Sequence, residues 1–198
     1  MNSITRLFDI LISAIALTLL LPLFLVIAVL IKATSSGPVF FKQVRVGKGN
    51  KDFKIFKFRT MYMNAAQLGS LTVGSKDSRI TRVGYFLRKY KLDELPQLFN
   101  VLAGEMSIVG PRPELRKYVD MYTAEQMKIL NIKPGITDYA SIEYRNENEL
   151  LAMAPNPEQY YIEYVMPHKI QINHKYLLNK TPISYFKVIV RTFISAIN

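Results

Sequence analysis

The sequence predicts an α+β fold that is mostly helical, on the basis of three observations. Residues 10–31 carry no charge and, as a helix, are long enough to cross a hydrocarbon core. Within 39–61, two runs rich in Val, Ile and Phe enclose a Gly, Lys, Asn and Asp cluster, the pattern of a β-hairpin. Many later apolar residues recur at the spacing of amphipathic helices. We therefore expect a membrane-inserted segment at 1–36 and one folded domain at 37–198.

Composition narrows the classes of partner and of chemistry. The net charge of +11 at pH 7 points to a polyanionic partner, which is nucleic acid, an anionic membrane surface or a phosphorylated substrate. The absence of cysteine excludes disulfides, zinc thiolate sites and cysteine nucleophiles, and it fits a reducing cytoplasmic environment. His168 and His174 lie off the spacing that brings two imidazoles to one helix face, so both are expected to be ordinary polar residues. Any metal would then have oxygen ligands, as Mg²⁺ does.

The uncharged run at 10–31 admits two placements in a membrane. A straight helix of this length is about 33 Å long and spans the bilayer, and the basic residues that follow it fix that end in the cytoplasm. Pro22 removes the hydrogen bond to the Thr18 carbonyl, so a kink is expected there. A span forces Arg6 and Asp9 across the bilayer, whereas a turn at Pro22 leaves both ends on one side. Because a kinked helix still crosses, the residues alone favour the span.

The segment after the hairpin is predicted to be a loop followed by a helix. Residues 64–78 are polar and rich in Gly and Ser, which predicts a loop beside a site. From Arg79 onward, apolar residues at helical spacing predict a helix with a basic face. The apolar stripe consists of Ile80, Val83, Leu87 and Tyr90. The basic positions are Arg82, Arg88, Lys89 and Lys91.

Two adjacent carboxylates precede a further predicted helix at 94–103. Its apolar positions are Leu95, Leu98, Phe99 and Leu102. Gly104 ends the pattern, and Pro96 is tolerated because it falls in the first turn. Asp93 is a natural N-cap for this helix, and Glu94 favours its positive end. On the local sequence the pair has two interpretations, capping alone or capping together with chemistry.

Two later segments contain rigid turns. Pro111 and Pro113 fix the backbone on both sides of Arg112, so its guanidinium projects from a stiff loop that follows the apolar stretch 106–109. On turn chemistry alone, this is equally well a turn with a surface arginine. The motif KPGIT at 133–137 predicts another turn.

The C-terminal end of the chain predicts an amphipathic helix. One helical stripe contains Ile183, Phe186, Ile189, Val190, Phe193 and Ile197. Lys187 and Arg191 fall on the other face. Such a helix lies either in a membrane interface or against a protein core, and the pattern does not choose between the two.

The motifs, taken in order, resemble a known family. TRLFDI, GPVFFKQVRVG, FKFRTM, DSRITRVGYFLRKYKLDELPQLFNVLAGEMSIVGPRPE and KPGIT are similar to motifs of the bacterial sugar transferases. These are the monotopic polyprenyl-phosphate phosphoglycosyl transferases that initiate glycan assembly. The resemblance covers nearly the whole chain and is weakest after residue 115. It is a resemblance to the minimal catalytic module, with one N-terminal hydrophobic segment.

The resemblance implies an activity and a location. Members transfer a sugar 1-phosphate from a nucleoside diphosphate sugar, usually a UDP-sugar, to a polyprenyl phosphate such as undecaprenyl phosphate, and they release the nucleoside monophosphate UMP. Partners are then the donor, the acceptor and membrane phospholipids but no nucleic acid, and a homodimer is compatible with this. The catalytic domain lies on the cytoplasmic face of the bacterial inner membrane. The sugar and the pathway, whether exopolysaccharide, capsule or lipopolysaccharide, stay open.

The resemblance also decides between the two membrane placements. Members enter the cytoplasmic leaflet with a helix broken near a proline and come back out on the same side. This makes Pro22 the expected helix break and favours a re-entrant helix over the span. The chain has Leu21 before Pro22, where the family commonly has serine, so the Thr18 hydroxyl is the group left to satisfy a freed carbonyl.

The resemblance makes the acidic pair catalytic. Asp93 attacks the β-phosphate to form an aspartyl phosphosugar, which the polyprenyl phosphate then attacks, with Mg²⁺ assisting at Asp93. Glu94 points away from Asp93 and is expected to be a base or a metal-orienting group. From the residues themselves, a helix N-terminus with Arg88 and Lys91 nearby is expected to keep Asp93 ionised and to attract a diphosphate.

Further residues fall in matching motifs and receive roles from them. Arg88 and Arg112, together with Mg²⁺, are expected to stabilise charge on the phosphoryl oxygens. Lys57, Arg59 and Arg79 are expected to bind phosphate. Pro111, Pro113 and Glu114 are expected to support the arginine loop.

Two other classes of function compete with this one. A non-enzymatic, membrane-tethered basic protein would bind anionic partners or scaffold other enzymes, and its affinity would survive Asp93→Ala. A phosphohydrolase would also pass through an aspartyl phosphate, but it would form product without a polyprenyl acceptor.

Overall fold

The computed structural model describes residues 3–65, 74, 77–178 and 181–197. Helix α1 (Ser3–Thr34) precedes the hairpin of β1 (Phe40–Val46) and β2 (Asp52–Phe58). The other helices are α2 (Arg82–Lys89), α3 (Gln97–Ala103), α4 (Arg116–Val119), α5 (Ala124–Met127), α6 (Tyr139–Glu143), α7 (Glu147–Ala152), α8 (Pro157–Tyr160), α9 (Met166–Leu178) and α10 (Pro182–Ile197). The other strands are β3 (Ser107–Val109) and β4 (Gly135–Thr137). Single 3₁₀ or π turns are Lys48–Asn50, Leu92–Glu94, Lys128–Asn131 and Tyr161–Val165. The mostly helical α+β class is confirmed.

Helix α1 runs without interruption through Pro22, so the predicted break at this proline is not an end of the helix. Turns on both sides of the proline, at Leu20 and Phe24, pack against one apolar cluster, which holds the helix together across the missing hydrogen bond. The Thr18 hydroxyl donates to the Ala14 carbonyl (2.9 Å), one turn back, and not to the carbonyl that Pro22 leaves free. Among the described residues, Ile4–Thr34 is the one helix long and apolar enough to cross a membrane.

The β-hairpin is confirmed, with antiparallel register from Phe40 opposite Phe58 to Val46 opposite Asp52. Its outer edge is closed by a side chain from α3. Asn100, which is fully buried, accepts a hydrogen bond from the Phe56 amide (3.0 Å) and donates to the Lys54 carbonyl (2.8 Å). The amide side chain thus pairs with one N–H and one carbonyl on the free edge of β2, as a neighbouring strand would.

Strands β3 and β4 form a parallel pair, in which Ser107 lies opposite Gly135 and Val109 opposite Thr137. The prediction of a simple turn at 133–137 is therefore wrong for its second half. A Cβ on Gly135 would lie 2.1 Å from the amide nitrogen of Gly110, so only glycine permits the two backbones to approach this closely.

The predicted second helix begins later than expected, and the predicted loop before it is described only in part. Most of 64–78, namely 66–73 and 75–76, lies outside the described residues. Helix α2 begins at Arg82 and not at Arg79, because Thr81 acts as its N-cap and accepts a hydrogen bond from the Gly84 amide (2.9 Å).

The C-terminal helix α10 is confirmed, and its predicted apolar stripe mostly faces outward. Tyr185 and Val188 are buried in a core cluster. The exposed members of the stripe, together with their neighbour Ile194, are Ile183, Phe186, Val190, Phe193 and Ile194. Packing against the core therefore uses a face beside the stripe. The side chain of Ile197 lies outside the described residues.

Candidate active site

The acidic pair lies in a 3₁₀ turn, and Asp93 is not the N-cap that the sequence predicts. Lys91 adopts a left-handed backbone conformation (φ 55°) and starts the turn Leu92–Glu94. The α-helix begins only at Gln97, with Pro96 at its N-cap position. The predicted end at Gly104 is confirmed, with φ 84°.

The turn that carries the pair packs against α2 and β2 and shares a core cluster with α1. Leu92 and Leu95, which flank the two carboxylates, pack against a cluster that includes Ile27 and Ile31 of α1. This contact buries Asp93, whose exposed fraction is 6 %. Burial of the turn is therefore tertiary in origin.

Glu94 is the centre of an ion-pair cluster. Arg112 donates to both of its carboxylate oxygens, with Nη1 2.8 Å from Oε2 and Nη2 bound to Oε1. Lys57 Nζ also donates to Oε1, at 3.0 Å. Burial alone would raise the pKa of Glu94, but the charges of Arg112 and Lys57 outweigh it and hold that pKa well below its usual range. The predicted role as a base is therefore disfavoured, because a carboxylate with a low pKa binds a proton weakly.

The loop around Arg112 is fixed by the segment that follows β4. The Gly135 amide donates to the Pro111 carbonyl (2.9 Å), and the Arg112 amide donates to Asp138 Oδ2 (2.9 Å). Asp138 is buried and also caps α6 by accepting from the Ser141 amide. Sequence reasoning missed Asp138, although an aspartate between an apolar run and a helical segment is an N-cap signal.

Glu114 supports the other end of the loop, as predicted from its motif. It accepts hydrogen bonds from Arg45 Nη1 (3.2 Å), from the Leu115 amide (2.7 Å) and from the Tyr161 hydroxyl. Burial, reinforced by the negative charge of Glu114, raises the pKa of Tyr161 well above its usual range, so this hydroxyl stays protonated as a donor. Arg45 and Tyr161 were not anticipated, because nothing near them in the sequence indicates this partner.

Asp93 differs from its neighbour in having no hydrogen bond from any residue that the structure describes. Burial, together with the charge of Glu94, raises its pKa against the opposing effect of Lys57, Arg88 and Lys91. The nearby cations therefore do not lower the pKa of Asp93, because desolvation outweighs them. Binding of a further cation, or of the groups that a substrate brings, would favour the ionised form.

Two predicted phosphate-binding arginines are engaged elsewhere. The Arg59 guanidinium is bound to the Ser36 carbonyl and, at 2.8 and 3.0 Å, to the carbonyl and hydroxyl of Ser35, so it closes the end of α1. Arg79 forms an ion pair with Asp77 (2.5 Å). Arg88 lies in the last turn of α2, and its positive charge acts on Asp93. Of the three predicted arginines outside the loop, it is the best placed to bind a phosphate at Asp93.

A magnesium ion fits this site only with the help of substrate. Within the described ranges, no group of three or more His, Asp or Glu side chains forms a ligand set. The oxygens of Glu94 are occupied by Arg112 and Lys57, which leaves the Asp93 carboxylate as the available ligand. Mg²⁺ commonly binds one or two carboxylates together with substrate phosphates and water, so this donor set suits a diphosphate substrate.

Comparisons with known proteins agree on one family. The family model described as "Bacterial sugar transferase" matches residues 1–198. The UDP-N-acetylgalactosamine-undecaprenyl-phosphate N-acetylgalactosaminephosphotransferase of Aeromonas hydrophila is 51 % identical over 142 residues, covering 70 % of this chain and 34 % of that protein. The UDP-glucose:undecaprenyl-phosphate glucose-1-phosphate transferase of Klebsiella pneumoniae is 41 % identical over 174 residues, covering 86 % of this chain and 37 % of that protein.

A further relative is the exopolysaccharide production protein ExoY of Rhizobium meliloti, of which the match covers a larger share. It is 38 % identical over 157 residues, which are 72 % of this chain and 70 % of that protein. The chain thus spans only about a third of the length of the two larger relatives.

Proposed function

The chain belongs to the bacterial sugar transferase family, and on that premise we propose that it transfers sugar 1-phosphate from a UDP-sugar to undecaprenyl phosphate. The reaction releases UMP and is the first membrane step of glycan assembly. The observation that carries the proposal is the contrast within the acidic pair. The Glu94 carboxylate accepts hydrogen bonds from Arg112 and Lys57. The Asp93 carboxylate accepts none from the described residues and lies near several cations.

In the first step, an oxygen of Asp93 attacks the β-phosphorus of the donor. A bond forms between that oxygen and phosphorus, the bond to the bridging oxygen breaks, and UMP leaves with the electron pair. Lys57, Arg88 and Arg112 lie around the pair, and their positive charge stabilises the phosphoryl oxygens and the leaving phosphate. Asp93 and the diphosphate would hold Mg²⁺, which would supply further positive charge to the phosphoryl oxygens.

In the second step, a phosphate oxygen of the lipid acceptor attacks the same phosphorus. The bond between phosphorus and Asp93 breaks, which regenerates the carboxylate and leaves the sugar on a lipid diphosphate. Because Asp93 is only 6 % exposed, water has little access to the intermediate. This favours transfer over the hydrolysis that a phosphohydrolase would perform.

Glu94 acts in this scheme as an anion that holds cations in place. Its bidentate pair with Arg112 fixes the guanidinium plane, and its contact with Lys57 fixes the ammonium. With a lowered pKa it stays ionised throughout the reaction. Its role is thus positioning, and no proton transfer is assigned to it.

Both ends of the uninterrupted helix α1 contact the same folded domain, which supports the re-entrant placement, with both ends on the cytoplasmic side, over the span. At the N-terminal end, Arg6 donates to the Val101 (2.5 Å) and Leu102 (2.9 Å) carbonyls, and Asp9 is buried among hydrogen-bond donors. At the other end, Arg59 binds the backbone that leaves the helix. A spanning helix would strip Arg6 and Asp9 of these partners, at about 1–3 kcal/mol for each unsatisfied group.

The outward face of α10 supports contact with the same membrane. Phe186 packs edge-on against Phe8 of α1, with ring centroids 5.0 Å apart, so the exposed apolar surfaces of the two helices are continuous. Ile183 and Phe193 extend this surface, with exposed fractions of 80 % and 67 %. A continuous exposed apolar surface on a basic protein suits a membrane interface.

The test is incubation of the purified protein in detergent with Mg²⁺, undecaprenyl phosphate and a panel of UDP-sugars, with UMP release as readout. UDP-N-acetylgalactosamine and UDP-glucose belong in the panel, because relatives are named for them. We expect lipid-dependent turnover with at least one sugar and none with Asp93→Asn. Sustained UMP release without acceptor would indicate a hydrolase, and no release with any sugar would leave a binding protein.

A further inference from the structure

The last turns of α1 carry a shallow apolar groove on their outer side, which we call the α1 groove. It is lined by Ala28, Val29, Lys32, Ala33 and Val39. Residues 28 and 32, and likewise 29 and 33, are one helical turn apart, so they form two adjacent rows on one face. The small side chains of Ala28 and Ala33 leave open the space beside Val39.

The opposite side of the same turns is buried in a core cluster that is shared with the turn of the acidic pair. Ile27 and Ile31 are buried in the cluster against which Leu92 and Leu95 pack. Val39, which lines the groove, packs against that cluster as well. An α-helix with its side chains is about 10–12 Å across, so the helix and this cluster together separate a molecule in the groove from the turn that carries the pair.

Lys32 gives the groove its charge. The only other charged residues of α1, Arg6 and Asp9, lie at its opposite end. Lys32 is exposed and has no ion pair or hydrogen bond with any residue in the described part of the chain. It stands two residues before the helix ends at Thr34, where a lysine in a membrane helix reaches the head-group level. An anionic head group above the groove therefore meets an unused ammonium.

We propose that the α1 groove binds the chain of the polyprenyl phosphate acceptor, with Lys32 contacting the phosphate before transfer. This assignment rests on the proposed function. An apolar isoprenoid chain is complementary to Ala and Val side chains. A phosphate monoester carries close to two negative charges, more than the diester of a membrane phospholipid, and so it is the better partner for a lysine. The groove holds the acceptor on α1, whose opposite face shares a core cluster with the turn of Asp93.

The two half-reactions make this site testable. UMP release in a single turnover without acceptor reports the first step, and steady-state turnover with undecaprenyl phosphate reports the second. Ala33→Phe fills the groove, and Lys32→Gln removes its charge. Ala14→Phe is the matched control, because Ala14 is also an exposed alanine of α1 but lies outside the groove.

We expect both groove variants to raise the KM for undecaprenyl phosphate about tenfold, the effect of losing roughly one good contact. Their single-turnover UMP release and their KM for the UDP-sugar should match the parent, as should all values for Ala14→Phe. If both variants keep the parent's KM for undecaprenyl phosphate, the proposal is overturned and the groove contacts only phospholipid. An equal change in Ala14→Phe would overturn it as a general membrane effect. A parent that releases no UMP refutes the proposed function itself, before any variant is made.

Discussion

Asp9 and Asp93 are both buried aspartates, and they differ in what surrounds their oxygens. Asp9 is fully buried and accepts hydrogen bonds from the Ser107 hydroxyl (2.8 and 3.0 Å), the Ile108 amide (2.9 Å) and the Tyr185 hydroxyl (2.7 Å). Asp93 accepts none from the described residues, and its surroundings are cations and a second carboxylate. The first carboxylate joins α1 to the rest of the protein, whereas the second keeps its lone pairs free.

The difference shows that burial alone does not distinguish a structural carboxylate from a reactive one. A carboxylate whose oxygens are satisfied by fixed donors is stable and has little capacity left for a ligand. A buried carboxylate without donors is costly to maintain and is available to a metal or to phosphorus. Asp93 is a buried carboxylate without donors, although its neighbour Glu94 is satisfied by fixed donors.

The largest expected effect is a difference in activity between the Asp93 and Asp9 variants. Asp93→Asn should lower UMP release at least about 10³-fold, because the amide is not a nucleophile toward phosphorus. Asp9→Asn, the matched change, should keep activity within about tenfold in the folded protein, since Asp9 touches no substrate. Initial rates on monodisperse protein measure both. Equal losses in the two variants would remove the distinction.

The next effect separates them by stability. Asp9→Leu leaves the Ser107 hydroxyl, the Ile108 amide and the Tyr185 hydroxyl without their acceptor, at a cost of at least about 3 kcal/mol. For a chain of this size, Tm should fall by roughly 6–12 °C. Thermal unfolding in detergent measures this. Tyr185→Phe removes one donor only and should cost about a third as much; an unchanged Tm for Asp9→Leu contradicts the structural role.

A third prediction tests the cations beside Asp93. Arg112→Lys should lower kcat about 10²-fold, because an ammonium cannot form the bidentate pair with Glu94 or present a planar charge to phosphate. Arg116→Lys is the control, since Arg116 binds Asp52 at the surface. Steady-state kinetics distinguish them. Parental kcat for Arg112→Lys would show that the guanidinium is not needed.

The smallest effect compares the two neighbours in the pair. The pKa of Asp93 is raised by burial, so its contribution to stability is present below its unfolded pKa of about 3.9 and is lost as pH rises through the folded value. The pKa of Glu94 is lowered, mainly by Arg112 and Lys57 against burial, so its contribution is present above about 4.3 and is lost as pH falls through the folded value.

At pH 7, Asp93→Asn should therefore raise Tm, and Glu94→Gln should lower it by leaving Arg112 and Lys57 unpaired. The Asp93→Asn shift should shrink as pH falls toward 4, whereas the Glu94→Gln shift should persist to that pH, because the folded pKa of Glu94 lies below its unfolded value. Thermal unfolding from pH 4 to pH 8 gives the answer. Shifts of the same sign at pH 7 would mean that the two carboxylates share one environment.

Local sequence was sufficient for the parts of the fold with local signals. The hairpin, the long apolar helix α1, the amphipathic helix α10 and the helix end at Gly104 all follow from periodicity or turn chemistry. Strands β3 and β4 did not, because each has three residues and pairs with a distant segment. The close approach of Gly110 and Gly135 has no signal in either segment alone.

The candidate site divides in the same way. Asp93, Glu94 and Arg112 were found through their motifs, and the structure brings Arg112 onto Glu94. The raised pKa of Asp93 was not anticipated, because its burial comes from packing of the flanking leucines against a cluster shared by α1, α2 and β2, which no local pattern shows. Asp138 was missed because its role depends on a contact with the Arg112 amide, 26 residues away in the chain.

The central claim is that the free carboxylate of Asp93 forms a covalent phosphosugar. The most direct measurement is mass spectrometry of the protein after incubation with its UDP-sugar and Mg²⁺ in the absence of acceptor, followed by peptide mapping under acidic conditions. The account predicts a mass increase of one phosphosugar on the peptide that contains Asp93, lost on addition of undecaprenyl phosphate and absent in Asp93→Asn. A protein that turns over with acceptor but never gains this mass, or gains it on another residue, would contradict it.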